Sequence, residues 1–260
     1  MFRGLWRPTL ISNGASPALP AALRTLLSAR GLVALFDFDW RAGLALSGGN
    51  VSAILSRTGG LIAVQASALR QPAWGAVSST GRRGATFVAA NTQRLMVSSA
   101  SLSAFQGAAP CSFLGVLRRD ADAVSDTWAS LSTSTSNVSY ISSGDQSVGR
   151  DRCQRRDAGS LQTAFSGAGV LANSIAYRRV NTFDGTNVRS WIDGAATIAA
   201  TPLPASPATI DNMGLGAVER LGGVAAFPGN YTMWGVMVGN VAWTPAEVAQ
   251  YTAAAAAYWG

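Results

Sequence analysis

The acidic pair Asp37 and Asp39 is the arrangement in this chain most open to a chemical reading. The two stand in a stretch where Ala34, Phe36, Phe38 and Trp40 alternate with Leu35 and the acids. That period of two predicts a strand with both carboxylates on one face, roughly 6.5–7 Å apart. The spacing lies at the short end of the separation of about 6.5–9.5 Å used by inverting glycosidases. The plainer reading is the polar, solvent-facing side of an amphipathic strand. Asp120, Asp122 and Asp126 have a calcium-loop spacing but lack the Gly and bidentate Glu of an EF-hand, so they read as a hydrated turn.

Composition removes most other catalytic chemistry. The chain holds twenty arginines but no lysine and no histidine. Ser–His–Asp, Cys–His and His-ligated zinc arrangements are therefore impossible. Schiff-base chemistry and the phosphate-loop lysine go with the missing Lys. Two cysteines, Cys111 and Cys153, cannot build a four-thiolate site. The expectation is a protein that is not an enzyme and takes no cofactor or metal.

Binding is the alternative. Trp74, Trp128, Tyr140 and Trp191 fall on or beside predicted loops and strand ends, where a ring can stack on a sugar. Trp40 and Trp234 alternate with core positions and read as buried. For each ring, core packing is the competing reading. Arginine doublets recur at Arg82-Arg83, Arg118-Arg119, Arg155-Arg156 and Arg178-Arg179, with Arg150 and Arg152 beside the third. Their planar forks match carboxylates and phosphates at two points, although a solvated basic surface explains them equally. The candidate ligand set is Trp74, Trp128, Tyr140, Arg155, Arg156 and Trp191. Acidic polysaccharide or an acidic subunit fits it; nucleic acid is not expected.

The elements that position these residues are short strands. Candidates run at 51–55, 61–65, 85–89, 94–98, 112–118, 126–132, 138–142, 174–180, 187–193 and 231–239, punctuated by Gly, Asn, Asp, Ser and Pro. Many short strands joined by turns predict a sandwich or jelly roll. Apolar residues make up 48% of the chain, enough for one large core, and charged residues only 13%, about half the usual share of about 25%. Leu19, Leu23, Leu26 and Leu27 predict an amphipathic helix over 18–30, ended by Gly31. Its role is either to cover the sandwich or to anchor an assembly. Thr244-Pro245-Ala246-Glu247 is a capping-box start for a helix over 245–258. No run of 18 apolar residues marks a membrane-spanning helix, and the first residues lack the apolar core of a signal peptide.

The closing segment carries a family resemblance. Leu215-Gly216-Ala217, Phe227-Pro228-Gly229-Asn230-Tyr231, the strand Met233 to Val238, and Trp243 leading into the last helix resemble the end of concanavalin A-like lectin/laminin G-like domains of bacteria and phages. Thr182-Phe183-Asp184-Gly185-Thr186, then Val188 to Gly194, looks like the family's hairpin, and residues 32–74 resemble its opening. The resemblance implies an all-β concanavalin A-like sandwich over 32–260, preceded by an arm and short helix at 1–31. It also implies glycan binding as a class of function. Calcium ligands of the family cannot be matched here. The glucanases on related folds need a close Glu pair, and only Glu219 and Glu247 exist.

The reading that joins these features is a virion structural protein of a tailed phage or phage-like particle: a spike, fibre or capsid-decorating subunit. It would be homo-oligomeric, partnered by other virion subunits and by host surface polysaccharide. The alternative is a bacterial carbohydrate-binding module without a particle role. In the virion reading, the arm residues Phe2, Leu5, Trp6, Leu10 and Ile11 find burial only on a neighbour, because ordering costs about 1–2 kcal/mol per residue. Deleting residues 1–16 is then expected to leave the melting temperature of the monomer unchanged and to abolish assembly. A truncated chain that unfolds would overturn that role.

Overall fold

The computed structural model describes residues 18–28, 32–122, 124–136, 139–157, 160–203, 207, 209–220 and 224–260. The expected attachment residues Phe2, Leu5, Trp6, Leu10 and Ile11 lie outside them.

After helix α1 (Ala21–Ser28) come β1 (Leu32–Asp37), β2 (Leu44–Ser47), β3 (Asn50–Leu55), β4 (Ile62–Val64), β5 (Ala73–Val77), β6 (Arg83–Phe87) and β7 (Leu95–Ser98). The longer strands β8 (Cys111–Arg119), β9 (Ser125–Ser132), β10 (Tyr140–Gln146), β11 (Arg150–Asp157) and β12 (Ser160–Phe165) follow. Then come β13 (Ala176–Phe183), β14 (Asn187–Ile192), β15 (Ala195–Pro202), β16 (Asn212–Leu215), β17 (Val218–Arg220), β18 (Val224–Ala226) and β19 (Tyr231–Gly239). Helix α2 (Pro245–Trp259) closes the chain.

The strands form two antiparallel layers. The front layer runs β12-β11-β10-β9-β16-β7-β4-β3-β2. The back layer runs β15-β14-β13-β8-β19, and β1 and β6 share the far side of β19. β5 extends β6, and one residue pair, Asn50 with Ala73, joins it to β3. The sandwich expected from the turn-punctuated strands is present.

Inward-facing side chains of both layers, among them Phe36, Phe113, Leu131, Ile141, Met213 and Val236, make the main core. A second cluster lies on the outer face of the back layer. There Leu23 and Leu27 of α1, with Val248, Tyr251 and Trp259 of α2, cover Leu35, Val116, Val180, Trp191 and Met237. The α2 start is the expected capping box: Thr244 N donates to Glu247 Oε2 at 2.8 Å and Glu247 N to Thr244 Oγ1 at 3.4 Å. Observed α1 is shorter than the 18–30 expected, and residues 29–31 lie outside the described set.

One part of the interior is ionic. Arg179 reaches from β13 in the back layer to the front layer. Its Nη1 meets Asp145 Oδ1 and its Nη2 meets Asp151 Oδ1, each at 2.5 Å. The Gly144 carbonyl accepts from Nη2 at 2.8 Å. Asp151 Oδ2 also accepts from Ser190 and Thr197, and Arg119 lies 3.4 Å from Asp145 Oδ2. All three ends of the Arg179 clamp are buried.

A buried pair is costly to break from one side, because the remaining charge is left unmatched, typically at about 3–5 kcal/mol. Arg179→Met is therefore expected to lower the unfolding free energy by about that much. Adding Asp145→Asn and Asp151→Asn is expected to recover part of the loss. Urea melts of the three proteins check this; a single variant as stable as the parent would sink it.

Candidate functional site

The outer face of the front layer brings together two residues read from the sequence as ligand contacts. Tyr140 on β10 and Arg156 on β11 are cross-strand partners. Ile141 and Cys153 point into the core, so the period of two sends Tyr140, Ser142, Gln154 and Arg156 outward. Ser132 of β9 lies beside Tyr140, and Asn212 of β16 beside Ser132.

A hairpin of β17 and β18, followed by residues 227–230, leans over this face. The Phe227 ring lies 6.3 Å from Tyr140. Arg220 sits over both rings, 5.7 Å from Tyr140 and 5.1 Å from Phe227, and Arg152 lies 5.3 Å from Phe227. Phe227 adopts φ 52°, a left-handed conformation unfavourable for a bulky residue. Hydrogen bonds hold it there: Thr127 N donates to Phe227 O at 2.9 Å, Gly229 N to Gly216 O at 2.9 Å and Asn230 N to Asp126 Oδ2 at 3.2 Å.

The face is rich in unmatched polar atoms. Among the described residues, Tyr140 OH, Ser132 Oγ, Ser142 Oγ, Gln154 Oε1 and the Nε atoms of Arg156 and Arg220 have no hydrogen-bond partner. Neither Arg156 nor Arg220 has an ion pair there, while Arg57, Arg82, Arg94, Arg178 and Arg179 each meet a carboxylate. Arg220 was not among the sequence candidates. Its signal was weak, because it stands alone rather than in a doublet.

The other candidates are placed differently. Trp128 is fully buried against Phe113 and beneath Arg179. A register shift opposite Ser143/Gly144 makes it the extra residue of a bulge, which turns it inward. Trp191 is buried under α2, and Arg155 points inward, its Nη2 donating to Gly107 O at 2.8 Å. Trp74 is half-buried; its Nε1 donates to Phe38 O at 2.9 Å, and Arg41 and Arg83 lie over its ring. The expected strand-end placement fails for Trp128 and Trp191, the candidate Arg155 is buried, and Tyr140 itself is covered by Arg220 and Phe227.

The acidic pair is corrected too. Asp37 is fully buried rather than solvent-facing, and the strand ends at it. It meets Arg57 Nη1 at 2.5 Å and accepts from Tyr258 OH at 3.2 Å. Asp39 accepts from Arg83 N at 3.1 Å and Arg82 Nη1 at 3.3 Å. These carboxylates tie the end of β1 to α2 and to β6. Among the described residues, no group of three or more His, Cys, Asp or Glu could hold a metal ion, and no helix is long and apolar enough to cross a membrane.

No family model matches the chain, and no curated protein is similar in sequence. Solved structures do match. The carbohydrate-binding module CBM40 of the Ruminococcus gnavus IT-sialidase, bound to α2,3-sialyllactose, aligns at a TM-score of 0.51 and 13% identity, over 59% of this chain and 86% of that one. Trypanosoma rangeli sialidase aligns at 0.58 and 12% identity, over 94% of this chain but 34% of that one. Streptococcus pneumoniae NanB sialidase aligns at 0.50 and 17%, over 59% and 26%. The chain has a jelly-roll β-sandwich fold. At these identities the likeness is one of fold.

Beneath the site, burial pushes the Asp126 carboxyl up to about 6. The nearby Asp145 charge adds to the rise, while the Asn230 amide, Arg119 and Arg152 oppose it. Burial likewise raises Asp37 and Asp145. A carboxyl whose folded pKa is raised stabilises the fold below its unfolded pKa and loses that contribution as pH climbs through the folded value. Stability is thus expected to fall between pH 4 and pH 6 on account of Asp126, and Asp126→Asn is expected to flatten that fall. Thermal melts across the window check it; an unchanged slope in the variant would refute it.

Proposed function

We propose that this protein is a carbohydrate-binding module that takes an acidic glycan on the outer face of its front layer. The observation that carries the reading is the pair Arg156 and Arg220, both without an ion pair among the described residues: Arg220 lies over the Tyr140 and Phe227 rings, and Arg156 is the cross-strand neighbour of Tyr140. A guanidinium fork takes a carboxylate at two points, and an aromatic face takes the apolar side of a sugar ring. Swinging Arg220 off Tyr140 onto a ligand carboxylate would bare the Tyr140 ring to a sugar. The likeness to a module bound to sialyllactose supports the same class of ligand.

The virion setting rests on sequence features alone, and no observation favours it over a free-standing module. A spike or fibre subunit carrying this sandwich would use the same face.

Isothermal titration with sialyllactose and with lactose tests the reading. The acidic sugar is expected to bind and the neutral one not. Arg156→Ala and Arg220→Ala are each expected to weaken binding about tenfold or more, since hydrogen bonds to charged groups are worth about 1.5–3 kcal/mol, with melting temperatures unchanged. Equal binding of both sugars, or full affinity in both variants, would overturn it.

A further inference from the structure

The front layer ends in a strand whose open edge fits a second copy of itself. Among the described residues β12 pairs only with β11, through the unbroken register from Arg152–Phe165 to Asp157–Ser160. Ser166 N donates to Asp151 O at 3.0 Å, and Asp151 N to Ser166 Oγ at 2.9 Å. Hydrogen-bonded pairs alternate along an antiparallel ladder. Pairs 153–164, 155–162 and 157–160 are therefore the bonded ones, and the amides and carbonyls of Leu161, Thr163 and Phe165 point away from β11. None of these three has a backbone hydrogen bond elsewhere among the described residues.

Exposed edges of this kind are normally blunted by charge, proline or a bulge. β12, Ser-Leu-Gln-Thr-Ala-Phe, has none of these. Other edges are treated differently. β15, at the end of the back layer, carries two register shifts and ends in Pro202. β2 is four residues long with one shift. β12 also exposes Leu161 (48%) and Phe165 (41%) on the outer face.

We propose that two copies of this chain join their front layers by antiparallel pairing of β12 with β12, about a two-fold axis at Thr163. The sequence is self-complementary in that register. Leu161 of one copy falls opposite Phe165 of the other, Thr163 faces Thr163, and all three pairs share one face, as aliphatic–aromatic and Thr–Thr cross-strand pairs favour. Charge permits it although the chain carries +7. The first arginines, Arg152 and Arg156, sit one strand back in each copy. Three strand spacings of about 4.8 Å separate the two β11 backbones by about 14 Å, beyond the Debye length of about 8 Å at physiological ionic strength, and Arg152 turns its guanidinium away toward β9. The inference is independent of the glycan reading.

Sedimentation velocity on the full chain tests it. The parent is expected to show a reversible monomer–dimer equilibrium. Thr163→Lys, which puts like charges face to face on the axis, and Leu161→Glu are each expected to give monomers with unchanged melting temperature. Adding Phe165→Arg to Leu161→Glu places the new carboxylate opposite the new guanidinium of the other copy and is expected to restore the dimer. Thr163→Pro removes an outward amide together with the Gln154 Nε2–Thr163 Oγ1 bond while leaving the β11 ladder intact, and is expected to give monomers should the lysine variant fail to fold. A parent that stays monomeric at the highest soluble concentration would overturn the proposal. So would a dimer that survives Thr163→Lys or Thr163→Pro, including one lost only on deletion of residues 1–16.

Discussion

The Arg179 clamp is the constraint on which the working face depends. Asp145 and Asp151 stand on neighbouring positions of β10 and β11, directly opposite one another. Two buried carboxylates side by side repel one another, and Arg179 offsets that from the opposite layer. Once those acids point inward, the strand period leaves no freedom. Gly144 and Arg152, Ser142 and Gln154, Tyr140 and Arg156 must point outward. A slip of one residue would send Tyr140 into the core and the aspartates into solvent. Gly144 completes the arrangement, because a side chain there would collide with the Asp126 carbonyl at the bulge. Interior ion pair and exterior site are thus two faces of one register.

The clamp is one that arginine can make and lysine cannot. Bridging two carboxylates while donating to a backbone carbonyl needs several donors in one rigid plane, which guanidinium has and ammonium lacks. Arg152 does similar work, donating to the Asp126 carbonyl at 2.7 Å and to Thr127 Oγ1 at 3.2 Å while lying over Phe227. Arg57, Arg94 and Arg179 bind acids of the fold, Arg152 and Arg155 donate to backbone carbonyls, and Arg156 and Arg220 have no ion pair among the described residues. Sequence shows the doublets but not this division, because the two members of Arg155-Arg156 face opposite sides of one strand.

That asymmetry explains what could be read in advance. Strands with one apolar face announced themselves, and β1, β3, β8, β14 and β19 lie near their expected positions. The α2 cap was legible because a capping box is local. β11 escaped notice, since Arg-Asp-Arg-Cys-Gln-Arg-Arg-Asp has polar side chains on both faces and no hydrophobic alternation. Its inward face is nonetheless buried, with Asp151 matched to Arg179, Cys153 accepting from Asn181, and Arg155 bound to backbone carbonyls. Trp128 was misplaced for a related reason: a bulge interrupts the period, and nothing in the sequence marks it. Asp37 and Asp39 looked solvent-facing because their partners, Arg57, Arg82 and Tyr258, come from distant parts of the chain.

The edge and the face meet in one consequence. Leu161, Thr163 and Phe165 lie on the same side of the front layer as Arg156 and Tyr140, since Leu161 is the cross-strand neighbour of Arg156 and Phe165 that of Arg152. A two-fold axis that pairs β12 with β12 through in-plane backbone hydrogen bonds stands perpendicular to the sheet, so it keeps outer faces on the same side. Two glycan-binding faces would then look in one direction across a single continuous layer. For a ligand repeated along a polysaccharide or a cell surface, the second contact becomes intramolecular and gains from effective concentration, with no new chemistry at either site. A face that offers an acidic sugar two arginines would bind it weakly alone. Doubling it through an uncharged edge gives such a surface useful avidity, and it supplies a reason for β12 to lack the charges that would protect it.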